Sequence, residues 1–396
     1  MTLIVTSFLV GSGFSIFARE LISEDEDIVS CPFSLVITPD LSRRALLGLL
    51  RVDADQEDSF KNLSETQLMC TYICMHWIID NENSTSAGFL KHLPYLKTLP
   101  ASSQLFTPLH FSEAELSLFE GSNIFSATLD RKHTWQQQHE ACAAVIAKVY
   151  PAWGAEFTWE RYLTAATYIS SRAFPSTLLS PTPSLVATPE SYPILLPGVD
   201  ALNHARAKPV SWLVSHPSGQ PSSEAGSKVY LVVHTRTPAG LEVFNNYGPK
   251  PNAELILGYG FTLENNPDDT IVLKIGGSLG GSQLRWEVGR QAKGIEPVWE
   301  VILAAVHEED EDEEEQEEGV VIVSVEEELY ASEMLEQMAA GLKDKLPSVP
   351  ANLPQYVRPE VLGMLLHYIE GQHDILRSII LFAQEKKNNG GQKKMT

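Results

Sequence analysis

An α+β fold is predicted for this 396-residue chain. Strand-forming segments flank a long helical stretch, and a second helical region follows. Three observations predict it. Apolar residues recur at helical spacing between residues 41 and 172. β-Branched and aromatic residues crowd short runs between Ser211 and Asn245. Two long amphipathic segments, 326–346 and 358–384, come late in the chain. A hydrophobic content of 43% suffices for a substantial core, and the length suits two or three domains.

Residues up to about Pro39 read as short strands and turns. Gly11 and Gly13 punctuate them, and 27–32 reads as a strand ending at a proline. Within the helical stretch, the run from Ser64 has apolar residues at helical spacing. Ser112 with Glu115 offers a capping box, and 135–149 and 159–173 supply two more helices. The Pro-, Ser- and Thr-rich run 180–191 reads as a loop, and 215–227 as a hairpin insertion. Strands are expected at 211–214, 229–235 and 241–245, with a turn from Pro238 to Gly240 between the last two. A strand at 270–275 leads into a glycine-rich run from Gly276. That run lacks the Lys-Ser/Thr of a phosphate loop and reads as a flexible turn. Residues 386–396 are polar, rich in Gly, Asn and Lys, and read as a disordered tail.

Net charge is −22. Ten acidic residues lie in the run EEDEDEEEQEE from Glu308 to Glu318, which reads as a disordered loop at about 307–319. Without it the chain holds 41 acidic against 29 basic residues, a net −12. This sign opposes direct binding to a nucleic-acid backbone. It suits a basic protein partner, or serves solubility alone. No run approaches the ~20 apolar residues of a membrane span. The apolar residues 1–10 lack a basic flank, so a signal peptide is not expected and cytoplasm or nucleus is the expected compartment. Cys31, Cys70, Cys74 and Cys142 form no C-x-x-C pair and read as buried thiols.

Three segments carry residues suited to chemistry. Gly11, Ser12, Gly13 and Phe14 form a small loop whose backbone a ligand can approach closely; alone, it reads equally as a hairpin turn. Asp200, Asn203 and His204 close the apolar run that starts at Leu195. They suit a polar ligand or a hydrogen-bonded turn, and no further ligands at metal spacing accompany them. The run from Asn245 to Phe261 gathers Tyr247, Tyr259 and Phe261 around a Tyr-Gly-Pro turn, either a site or an aromatic core.

Taken together and in order, these segments resemble the SET-domain methyltransferases. The likeness is to the Rubisco-methyltransferase-like branch, which includes the fungal ribosomal-protein lysine methyltransferases. Gly11-Ser-Gly-Phe resembles the cofactor loop, and Ser171-Arg172-Ala-Phe the S-R-x-F element. Asp200-Ala-Leu-Asn203-His204 resembles D-x-x-N-H. Tyr247-Gly248 with Asn252-Ala-Glu-Leu resembles the closing Y-G and N-A-E-L pair. The resemblance implies a split SET domain of small sheets, residues 1–40 and 173–268, with the Asn-His segment threaded beneath the Tyr segment as a pseudoknot. A helical insert at 41–172 interrupts it, and a helical substrate-binding-like domain, 269–385, follows. It implies S-adenosyl-L-methionine as cofactor, a protein substrate, a monomer and no metal. Gly11 to Phe14, Asn203 and His204 would hold the cofactor, Arg172 its carboxylate, and Phe261 its adenine. Asp200 would support that pocket, Tyr247 would be the catalytic tyrosine, and Tyr259 would line the lysine channel.

This implied chemistry suits the residue types. Free lysine, with a pKa of about 10.4, is mostly charged at neutral pH, and a narrow apolar channel favours the neutral nucleophile. Alignment of amine, methyl and sulfur supplies the rate. Val10 stands where the family often has an acidic residue, and the first strand is expected to be short or missing. Two rival readings stay open: a histidine acceptor, as in one relative of this branch, and a non-catalytic binding module that docks through its C-terminal helices and acidic run.

Overall fold

The computed structural model describes residues 3–5, 14–51, 54–79, 88–180, 182–216, 226–275, 284–310, 324–349 and 356–393. Gly11, Ser12, Gly13, the glycine-rich run from Gly276 and most of the acidic run lie outside them.

Strand β1 (Leu3–Val5) precedes β2 (Ile16–Ala18) and β3 (Glu26–Pro32). Eight helices follow: α1 (Pro39–Leu50), α2 (Ala54–Lys61), α3 (Glu65–Ile78), α4 (Leu93–Leu96), α5 (Glu113–Ser117), α6 (Asn123–Val149), α7 (Pro151–Glu156) and α8 (Trp159–Arg172). Then come β4 (Phe174–Pro175), β5 (Pro193–Ile194), β6 (Val210–Ser215), β7 (Lys228–Val233) and α9 (Asn252–Tyr259). The chain continues through β8 (Thr270–Ile275), β9 (Leu284–Gly289), α10 (Glu296–Asp310), α11 (Val325–Asp344) and α12 (Pro359–Lys393). This is the α+β class expected. Two compact units divide the chain: 1–110 with 128–249, and 111–127 with 250–396.

In the first unit β1 pairs antiparallel with β2, so the expected short first strand is present as three residues. A three-stranded antiparallel sheet has the order β3-β7-β6. On β7 the side chains of Val229, Leu231 and Val233 alternate inward, as strand geometry dictates, and pack with Ile16, Cys31, Leu196 and Val199. The helical insert has its own core. Ser64 starts α3 by accepting the N–H of Gln67 while the Gln67 side chain accepts the N–H of Ser64. This satisfies two donors that a helix start otherwise leaves unpaired. α3 then buries Leu68, Met69, Cys70, Tyr72, Ile73, Cys74 and Met75, so it runs through the core rather than over it. α8, capped by Thr158, covers it with Tyr162, Ala165, Ala166 and Ile169. All four cysteines are buried free thiols.

The second unit is built on the β8–β9 hairpin and helices α10 to α12. Ile271, Leu273, Val288, Trp299, Ile302, Leu335, Ile375 and Ile379 form its core. Its segment 111–127 carries the Ser112–Glu115 capping box, which starts only the five-residue α5.

Four local expectations change. The helix expected from Trp135 begins at Asn123, because its first turns are polar and show little apolar period. Residues 241–245 form no regular strand; Glu242 and Asn245 make isolated bridges instead. The hairpin partner β9 and helix α10 were not foreseen. Finally, α12 runs to Lys393 through the stretch read as a disordered tail.

Candidate active site

The two motif segments of the first unit meet through their main chains. Asn245 N–H donates to the carbonyl of Asn203 at 2.8 Å, and Ala205 N–H donates to the carbonyl of Asn245 at 2.9 Å. His204 and Asn245 thereby form a parallel bridge. Tyr247 N–H donates to His204 Nδ1 at 3.0 Å. A nitrogen that accepts carries no proton, so this bond selects the tautomer with hydrogen on Nε2. The Tyr247 ring stacks on the imidazole, with centroids 5.1 Å apart at 26°. Its hydroxyl donates to the carbonyl of Leu202 at 2.8 Å, which fixes where the oxygen lone pairs point. Gly248 follows at φ +87°, a left-handed conformation that a Cβ disfavours. The side chain of Asn246 accepts its N–H at 2.9 Å and closes the turn.

Asn203 joins these segments to the end of the glycine loop. Its amide nitrogen lies 3.1 Å from the carbonyl of Phe14, 3.2 Å from Ser15 Oγ and 2.8 Å from Glu242 Oε1. Val243 N–H donates to the Ile16 carbonyl at 2.8 Å. Segments 14–16, 202–205 and 242–247 therefore lie side by side.

A buried polar cluster backs them. Arg172, at the last turn of α8, donates through Nη1 to the carbonyl of Asp200 at 2.9 Å. The Tyr95 hydroxyl donates to Asp200 Oδ2. Burial pushes the Asp200 carboxyl above the usual carboxylate range, against the pull of the Arg172 charge and the Tyr95 hydrogen bond. Burial, and then the Asp200 charge, push Tyr95 well up. The same two causes, in the same order, raise the Cys31 thiol to about 12, so it is no ready nucleophile. Tyr95 was not foreseen as a site residue; it lies in the insert, in a run with no motif.

Tyr259 and Phe261 belong to the second unit. Their rings meet edge to face at 6.1 Å, and the Lys250 ammonium lies 5.7 Å from the Tyr259 centroid. Burial raises the Tyr259 hydroxyl, against the nearby Lys250 charge. The N-A-E-L asparagine, Asn252, is fully buried and does structural work. It bonds both the N–H and the carbonyl of Leu263 at 2.9 Å, while its own N–H donates to Asp269 Oδ1 at 2.7 Å. The structure thus brings Phe14, Arg172, Asp200, Asn203, His204 and Tyr247 into one unit, and Tyr259 with Phe261 into the other.

Comparison with known proteins agrees with this geometry. No family model matches the chain. Over 98% of its length the chain superposes on 88% of a solved structure, the SET domain of LSMT bound to lysine and AdoHcy, with a TM-score of 0.70 at 15% identity. The chain therefore shares the fold of that solved SET domain. Its sequence is similar to the ribosomal lysine N-methyltransferase set10 of Schizosaccharomyces pombe, 31% identical over 65% of this chain and 41% of that protein. Ribosomal lysine N-methyltransferase 1 of Saccharomyces cerevisiae is 35% identical over 47% of this chain and 34% of its own length. The actin-histidine N-methyltransferase of Gallus gallus is 23% identical over 67% and 40%. The chain thus spans about two fifths or less of these relatives. Among the described residues, no helix is long and apolar enough to cross a membrane.

Proposed function

We propose that this chain is a protein methyltransferase that uses S-adenosyl-L-methionine and acts on lysine in a non-histone protein, with a ribosomal or translation protein as the favoured substrate. The observation that carries the proposal is the joining of Asn203, His204 and Tyr247 by main-chain bonds beside Phe14. The donor set fits the cofactor. Arg172 makes one hydrogen bond among the described residues, to Asp200, so its planar fork keeps donors for a carboxylate. The cofactor would supply an activated methyl group on a sulfonium.

The remaining work falls to the chain. Asn203 and His204 would orient the bound nucleoside, with Phe14 and the glycine loop beside them, and Asp200 would hold this wall from behind. Tyr247 would act by position: its proton is given to Leu202, so its lone pairs can steer a methyl hydrogen through weak C–H···O contacts. The roles of Tyr259 as channel wall and Phe261 as adenine contact belong to the same proposal. A monomeric enzyme of cytoplasm or nucleus and a basic substrate segment complete it.

The lysine relatives support the acceptor, and the similarity to an actin-histidine enzyme supports histidine as the second reading. Labelled S-adenosylmethionine is incubated with the full chain and a lysate lacking it. A labelled ribosomal band is expected, weakened about 10²-fold in Tyr247→Phe, the scale of a lost positioning contact. Label on histidine favours the second reading, and no label despite measurable cofactor binding favours a non-catalytic module.

A further inference from the structure

Away from the residues assigned to methyl transfer, three polar side chains on the β3–β7–β6 sheet form a relay of their own. Ser211 Oγ lies 2.7 Å from His234 Nε2, and His234 Nδ1 lies 2.6 Å from Asp25 Oδ1. A carboxylate only accepts, so the proton shared with Asp25 sits on Nδ1. In the neutral ring, Nε2 then turns its lone pair to the Ser211 hydroxyl. This is the connectivity by which an imidazole activates an alcohol as a nucleophile. We propose that Ser211 is an activated nucleophile that takes acyl groups from small activated esters, a second reactive site on this chain.

Two further observations support it. First, the main chain fixes each member. Ser211 is registered opposite Val232 in the β6–β7 ladder. His234 N–H donates to the Pro209 carbonyl at 3.0 Å, and Asp25 N–H to the Val233 carbonyl at 2.9 Å. Asp25 is held at φ +60°, a conformation a residue with a Cβ adopts rarely and that the surrounding bonds must maintain. Second, the relay is reachable. The side chains of His234 and Asp25 are 35% and 78% exposed, so a small ester can approach from solvent. Such an open site selects by the reactivity of the ester rather than by its shape.

The step is an acyl transfer. Ser211 Oγ bonds to the carbonyl carbon while its proton passes to His234 Nε2. The bond to the leaving alcohol or phenol breaks, and His234 returns the proton to that oxygen. Water, deprotonated by the same nitrogen, then cleaves the Ser211 ester to a carboxylic acid and restores the hydroxyl.

The alternative is that the three side chains only pin the 23–26 turn to the sheet. The full chain is treated with p-nitrophenyl acetate and its peptides are mapped by mass spectrometry, with circular dichroism confirming that each variant is folded. Acetylation of Ser211 is expected. His234→Gln should slow it about 10²-fold, the usual scale of general-base assistance, with Asp25→Asn in between. An unmodified Ser211 peptide together with no p-nitrophenol release by the native chain beyond that of His234→Gln, or an equal acetylation rate in His234→Gln, overturns the proposal and leaves the pin.

Discussion

Tyr95 and Asp200, 105 residues apart in sequence, share a hydrogen bond in which the phenol donates to a buried carboxylate. The helical insert thereby props the wall from which Asn203 and His204 project. Tyr95→Phe removes that donor and nothing else, so the Asp200 carboxyl should rise further above its usual range. The expected cost is about 1–3 kcal/mol of stability, the scale of a buried acceptor left unmet. Cofactor affinity should weaken while the rate at saturating cofactor changes little. Calorimetric binding beside the saturated rate checks this split.

Asn203 stands within reach of three oxygens and presents only donors to them. Asn203→Asp reverses the polarity and sets a carboxylate against Glu242. Two acids that close cannot both ionise freely, so one should keep a proton near neutrality. A stability loss of roughly 1–3 kcal/mol is expected, since the half-buried Phe14 carbonyl and Glu242 carboxylate lose their donor. Cofactor binding should recover partly as pH falls. A thermal melt at two pH values with and without cofactor tests both statements.

Tyr72, His76 and His92 form a buried polar knot in the insert. The Tyr72 hydroxyl meets His92 Nδ1 at 2.5 Å, and His92 N–H donates to His76 Nε2 at 3.2 Å. Burial pushes both imidazoles down to about 4. An unfolded histidine titrates near 6.5. Between about pH 6.5 and 4 the unfolded chain therefore binds protons that the folded chain refuses, and stability must fall as pH falls. The two rings together set a slope of up to roughly 2.7 kcal/mol per pH unit within that window. Urea midpoints from pH 7 to 5 should show this slope, and His76→Gln with His92→Gln should flatten it.

In the second unit Arg358 grips Glu115. Its N–H and Nε both meet Oε1, at 3.0 and 2.8 Å, and Nη2 meets Oε2 at 2.9 Å. The Glu115 side chain is 3% exposed and the Arg358 side chain 29%. Arg358→Ala leaves a buried carboxylate with only the main-chain N–H donors of Ser112 and of position 358, and should cost roughly 3 kcal/mol, the lower end for breaking a buried pair. Glu115→Gln keeps the capping acceptor but loses the charge and one acceptor oxygen; it leaves no uncompensated buried carboxylate, so its loss should be smaller. The two urea midpoints decide the order.

How much of this was legible beforehand depended on the range of each interaction. Ser112 announces a helix start through Glu115, three residues on, and that capping box is present; a second, unforeseen one joins Ser64 and Gln67. The motif residues Asn203, His204 and Tyr247 could be named because short strings carry them. Tyr95 could not, because its partner lies far off and its neighbours follow no pattern. Residues 241–245 looked like a strand from composition, but their partners are single residues in two other segments, Phe17 and His204, rather than a continuous neighbour. The last turns of α12 read as disorder from their glycines and asparagines, which are poor helix formers. A long helix already under way carries them on, since extending a helix is easier than starting one.

Asn203 reaches back 189 positions to Phe14, and Asn245 lies against His204. The second pairing cannot form until the chain has been synthesised past Asn245. Loop closure on that scale is entropically costly, and folds dominated by such distant contacts form slowly. The insert core, whose helices are close in sequence, can condense while the rest is still being made. The Asn203, His204 and Tyr247 cluster therefore assembles after the insert core, and a product interrupted before Tyr247 lacks it.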